Sequence, residues 1–232
     1  MKKGLLWLVL GLTLLTTACS PQNQGQANSS DSDTQIESNI AAEGVENNDQ
    51  TTGESDSRIL IAYFAVAENS AVEAVSSASV GKDSKGLLRI LADDIQKETG
   101  GDLFSIKTSV KYPGGINELI DYADKEQADN VRPELTSHID NLNDYDVIFV
   151  GYPNWWADMP MVMYSFFEEN DFSGKTIIPF NVHNGSRFSN TINTIKNLEP
   201  GATVVTDGFT VNQSGVANAD AEVQEWLKGL GF

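Results

Sequence analysis

Residues 146–160 read Asp-Val-Ile-Phe-Val-Gly-Tyr-Pro-Asn-Trp-Trp-Ala-Asp-Met-Pro, and the order of residue types in this stretch decides the fold class. Val147 to Val150 form a continuous apolar run, the mark of a strand buried on both faces of a parallel sheet. The run stops at Gly151, and Pro153, Asn154, Trp155, Trp156 and Ala157 form a loop. A helix start is expected at Asp158-Met159-Pro160, with Asp158 as its N-cap. Strand, aromatic loop, helix: in an open α/β sheet that order puts both indoles at the carboxyl edge, where ligands bind. Two readings of the paired tryptophans follow. Either they form a platform for a flat, planar ligand, or one packs inward while the other covers a hydrophobic edge.

Similar runs flank this stretch. Arg58–Phe64 is a first strand, Asp102–Lys107 a second, Lys175–Asn181 a fourth, and Ala202–Thr206 a fifth that extends as far as Val211 in one reading. Pro179 is awkward inside the fourth, because proline cannot donate to the ladder. A bulge, or pairing that avoids its nitrogen, is expected there. Between the strands lie helical patterns: Leu87, Leu88, Leu91 and Ile95; Ile116, Leu119, Ile120 and Ala123; the largely apolar Met161–Phe167; Phe188, Ile192, Ile195 and Leu198; and Val216 to Leu230. Strand alternates with helix five times, each crossover long enough for parallel pairing. This describes an α/β, open, doubly wound sheet of five parallel strands in the order 2-1-3-4-5, with helices on both faces.

The amino-terminal quarter has another composition. Lys2 and Lys3 precede an apolar stretch from Leu5 to Leu15 and then Thr16-Thr17-Ala18-Cys19, the pattern of an export signal. The stretch is shorter than the about 20 residues a spanning helix needs. Residues 1–18 resemble a bacterial lipoprotein signal, which implies lipidation of Cys19 and an extracytoplasmic, membrane-attached protein. Thr16 departs from the usual leucine of that motif. An ordinary cleaved signal and an uncleaved anchor are the alternatives. Residues 19–57 are polar, with no aromatic residue and only Ile36, Ile40 and Val45 as large apolar side chains. That is too little to offset ordering entropy, so the segment reads as a solvated tether. Residues 58–232 then form one domain.

Removal of residues 1–18 leaves 13 basic against 33 acidic residues. So acidic a chain excludes nucleic acid as the natural partner, since phosphates demand a basic footprint. The two histidines, 138 and 183, are far apart and lack a cysteine nearby, so no metal site is indicated.

In a doubly wound sheet the loops after strands 1, 3 and 4 meet at one crevice. Here the first leads through Ser84, Lys85 and Gly86 to a helix N-terminus, where backbone N–H groups and the helix dipole favour an anion. The loop after strand 3 supplies Pro153, Asn154, Trp155, Trp156, Ala157 and Asp158. The loop after strand 4 supplies His183, Asn184, Gly185 and Ser186. Together they suit a phosphorylated planar heterocycle.

The segments Arg132-Pro-Glu-Leu135, Tyr145-Asp146, Gly151-Tyr-Pro-Asn-Trp-Trp156 and Thr176-Ile-Ile-Pro-Phe-Asn181 resemble the flavodoxin family from Arg58 to the end. The Gly-Tyr-Pro-Asn-Trp-Trp string is the most specific. The resemblance implies a flavodoxin-like fold and bound flavin mononucleotide (FMN), with its phosphate in the loop after strand 1 and its ring between the loops after strands 3 and 4. It places Asn154, Trp155 and Trp156 beside the ring and His183 to Ser186 on its far side. It also implies electron transfer with a redox partner protein or a small-molecule donor or acceptor. The chain departs from the family at the phosphate loop. Ala65-Val66-Ala67 follows strand 1, and the helix opens Gly86-Leu87-Leu88, where the family has Ser, Thr and a Gly-Asn-Thr triplet. Two other functions share these residues: a flavin-dependent NAD(P)H or quinone reductase, and a binding module that has lost FMN.

Overall fold

The apolar runs pair side by side and in parallel. The computed structural model describes residues 58–70 and 85–232. Residues 1–18, Cys19, the tether and Ser84 lie outside the described residues. The strands are β1 (Ile59–Tyr63), β2 (Asp102–Ser105), β3 (Val147–Pro153), β4 (Thr176–His183), β5 (Thr203–Val204) and β6 (Phe209–Asn212). Their order is β2-β1-β3-β4-β5, with β6 beside the far end of β4, and every pairing is parallel. This is the expected order.

Successive residues of the buried strands face opposite sides, which is why their runs are apolar throughout. Ile61, Tyr63, Phe149, Ile178 and Phe180 pack under α1 (Leu87–Thr99) and α5 (Asp220–Leu230). Leu60, Ala62, Ile148 and Val150 pack under α2 (Ile116–Ala128), α3 (Met161–Glu169) and α4 (Thr191–Leu198). The doubly wound arrangement therefore follows from two-sided burial.

The fifth strand position is broken, and Pro179 explains where. The Thr176 N–H donates to Asp146, and the Ile177 carbonyl accepts from Val205. Even-numbered residues of β4 thus face β3, and odd-numbered ones face β5 and β6. The nitrogen of Pro179 points at the odd side, leaving the β3 ladder intact through it. On the other side Ile177 pairs with Val204 and Phe180 with Phe209, so residues 205–208 bulge opposite residues 178–179.

Three boundaries differ from the sequence reading. Strand β3 does not stop at Gly151 but runs to Pro153, which is buried within it. Gly151 is needed because a Cβ there would sit 2.2 Å from Cζ of Phe180. His183 is the last residue of β4 rather than a loop residue. Helix α3 starts at Met161 with Pro160 as its N-cap, so Asp158 is not the cap. Its Oδ1 accepts the Met159 N–H at 2.8 Å and its Oδ2 the Tyr164 hydroxyl at 2.7 Å.

Candidate functional site

Strand β1 hands the chain to β2 on one side, while β3 and β4 lie on the other. The crevice at their carboxyl ends is therefore a topological switch point, the usual ligand position in such sheets. A cleft of about 270 Å³ opens there, lined by Ile116, Leu119, Ile120 and Ala123 of α2, by Asn154, Trp155 and Trp156, and by Asn184 and Gln213. One wall is apolar and aromatic, and carboxamides sit at its edge.

The tryptophan loop is a two-residue hairpin. Trp155 N–H donates to the Asp158 carbonyl at 2.8 Å, and the return bond is 2.9 Å. Trp156 and Ala157, at φ 51° and 61°, occupy the two central positions. Positive φ at both is the mark of a type I′ turn, which favours glycine or asparagine. The turn aims consecutive indoles in different directions. Trp155 packs edge-on against Phe64 and Tyr112, with centroids 6.0 and 5.7 Å away. Trp156 remains 54% exposed and donates its Nε1–H to the Ile120 carbonyl at 3.3 Å. One ring packs inward and the other forms the rim, so they do not make a parallel platform.

Hydrogen bonds fix the opposite lip. Asn154 lines the cleft, and its amide nitrogen is engaged with the chain. Its Nδ2 donates to the Arg187 carbonyl at 2.7 Å and to Ser189 Oγ at 3.2 Å. Fully buried Asn181 donates to the same carbonyl at 2.9 Å and accepts from the Thr210 hydroxyl at 2.6 Å. Arg187 and Ser189 both stand at φ 50°, a conformation that costs on the order of 1 kcal/mol for non-glycine residues and needs surrounding support. The two asparagine amides supply that support. The His183 Nδ1 accepts the Gly185 N–H at 2.8 Å, so its proton in the neutral ring is on Nε2. Burial, then the Arg187 charge, holds its pKa below the ordinary value.

The α1 end is organised differently. Gly86 is the buried N-cap, without a side-chain cap among the described residues. Lys85 turns back to Asp93 Oδ2 at 2.8 Å, and Arg89 binds Asp93 Oδ1 at 2.7 Å and the Tyr63 hydroxyl at 2.9 Å. Tyr63 donates to Glu68 at 3.0 Å, and the other Glu68 oxygen accepts from Ser105. Buried Asn69 folds the loop after β1 back on the edge of β2, donating to the Ala65 and Ile106 carbonyls and accepting from Thr108 N–H.

Of the residues singled out from sequence, Asn154, Trp155, Trp156 and Asn184 line the cleft. Pro153 and His183 end β3 and β4, and Ala157, Asp158, Gly185 and Ser186 belong to the turns that follow. Lys85 and Gly86 do not border it. The sequence reading missed the α2 wall, Gln213 and the Asn181 support. A signal for the wall existed: Ile116 and Ile120 extend the apolar stripe of α2 beyond the width one packed face needs, and they remain 47% and 44% exposed. Nothing local distinguishes Gln213.

A family model for flavodoxins matches residues 58–230. Among solved structures, a protein named as a flavoprotein from Bacteroides eggerthii is 25% identical, has a TM-score of 0.59, and aligns over 76% of this chain and 99% of that one. One from Bacteroides uniformis is 26% identical, with a TM-score of 0.59 and coverage of 74% and 98%. A Lactobacillus acidophilus flavoprotein in complex with FMN is 18% identical, with a TM-score of 0.50 and coverage of 74% and 99%. That likeness is one of fold. No curated protein matches.

Proposed function

The chain belongs to the flavodoxin family, and from that premise we propose that it binds FMN in the tryptophan cleft and carries electrons. The observation that supports this most is the cleft itself, at the switch point of the sheet, with an aromatic rim on one side and carboxamides on the other. The residues fit the ring end of the cofactor. Trp155, Trp156, Ile116 and Ile120 offer apolar surface, Asn184 and Gln213 offer polar edges, and Gln213 Oε1 is buried without a donor among the described residues. A buried acceptor left unmade costs about 1–3 kcal/mol, and a ring N–H is one group that satisfies it once the carboxamide turns toward the cleft. The α1 N-terminus, with Gly86 as its N-cap, is the position proposed for the phosphate. FMN supplies one- and two-electron chemistry. The protein holds the ring, excludes water from the Trp155 side, and through its acidic balance disfavours added negative charge.

The test is addition of FMN to the purified full chain. Saturable binding with quenching of flavin fluorescence is expected. Trp156→Ala should weaken binding about tenfold, equivalent to about 1.4 kcal/mol, with an unchanged fold by circular dichroism. A chain that binds no FMN overturns the proposal.

We further propose that the protein is exported and anchored by lipid on Cys19. Cys19→Ala should move it from the membrane to the soluble fraction; retention on the membrane would overturn the anchor.

A further inference from the structure

Glu126 stands on α2 behind the tryptophan loop, only 4% exposed. The Tyr112 hydroxyl donates to its two carboxyl oxygens at 3.2 and 3.4 Å, and Tyr112 meets Trp155 edge-on. On one side Glu126 borders a cavity of about 10 Å³ shared with Ala123, Trp155 and Trp156, three residues that also line the cleft. That is about the room of one water molecule. On the other side it borders an outer cavity of about 150 Å³ among Tyr122, Lys125, Asp129 and Val131. Glu126 therefore lies between two cavities, the inner of which shares residues with the cleft.

Resting on the reading that the cleft holds a redox cofactor, we propose that Glu126 takes up a proton from solvent when the cofactor is reduced and returns it on reoxidation. Each electron from a one-electron reductant adds one negative charge to the cleft. The nearby carboxylate then gains proton affinity by simple repulsion, which is strong where water is scarce. One H⁺ from water at the outer cavity binds a carboxylate oxygen. No bond forms between Glu126 and the cofactor, and the electron stays on the cofactor.

The surroundings suit this role. Burial raises the Glu126 pKa to about 7, against hydrogen bonds from Tyr112 and the Met161 N–H that lower it. Among the described residues no cation acts on it there. Burial also holds Tyr112 and Tyr122 in their protonated forms, and Lys125 is paired with Asp129. Glu126 is thus the group in this setting whose charge changes near neutrality.

The experiment is reduced-minus-oxidised infrared difference spectroscopy on the full chain loaded with FMN, reduced by dithionite just above neutral pH. Wild type should gain a protonated-carboxyl C=O stretch, and Glu126→Gln should lack it. The same band in the variant, or no band in FMN-loaded wild type, overturns the proposal. A chain that takes up no FMN overturns the cofactor reading beneath it. A second measurement needs no cofactor: tryptophan fluorescence of the FMN-free chain should titrate near neutrality in wild type and not in Glu126→Gln. A flat wild-type profile overturns the proposal by itself.

Discussion

Beneath the tryptophans the chain is held by ring contacts and amide hydrogen bonds, whereas at the start of α1 it is held by ion pairs at the surface. Phe64, Tyr112 and Trp155 pack edge to edge, and Asn154 and Asn181 share the Arg187 carbonyl. At the other end Lys85, Arg89, Asp93 and Glu68 bind one another. Ring packing and amide hydrogen bonds of the first kind define a shape, because each partner has one good position. The partly exposed ion pairs of the second kind define less, since water competes for the ions. One end of the crevice is therefore preorganised for a flat ligand, while the cations of the other are engaged with carboxylates.

Substitutions can break that contrast. The largest effect is expected from Trp155→Ala, which removes two edge-on ring contacts and their burial. Chemical denaturation should show a loss of about 3 kcal/mol.

Glu126→Gln should act in the opposite direction. The folded-state pKa of Glu126 is raised from 4.5 to about 7, so its favourable contribution is full below about pH 4.5 and is lost as pH rises through about 7. The variant keeps a neutral group throughout. Its stability relative to wild type should therefore grow, between about pH 4 and pH 8, by on the order of 3 kcal/mol. Glu199, also raised to about 7 by burial, keeps its own share of the pH dependence in both proteins. Equal pH profiles of melting temperature would contradict the assignment.

Asn181→Ala leaves the Thr210 hydroxyl without its acceptor and takes one of two donors from Arg187. A cost of about 2 kcal/mol is expected, with faster amide exchange confined to residues 183–189. Uniform loosening would show instead that the lip is not held locally. The smallest effect belongs to the α1 end. Lys85→Ala removes an exposed pair and should change stability by less than about 0.5 kcal/mol. A larger loss would mean that this end is as preorganised as the other.

How much of this was legible before the structure differs by region. Two-sided burial leaves continuous apolar runs, so β1, β3 and β4 and the parallel order could be read directly. The chain's only Trp-Trp pair marked the rim of the cleft. The neighbouring residues were harder to assign because a side chain's partner is set by the turn that carries it. Asn154 was placed beside the ring, and its amide also serves the backbone of Arg187. Asp158 looked like a helix cap and binds Tyr164.

By itself, then, the sequence determined the doubly wound sheet and the place of the crevice, because hydrophobic periodicity is a local property of the chain. Tertiary structure decided that α2 forms the cleft's second wall, that Gln213 reaches it from beyond β6, and that Glu126 lies between two cavities. These depend on contacts between residues far apart in sequence, here from Tyr112 to Gln213, which no periodicity encodes. It also decided that adjacent indoles part company. A type I′ turn with Trp156 and Ala157 at positive φ sends one ring into the core and leaves the other at the rim.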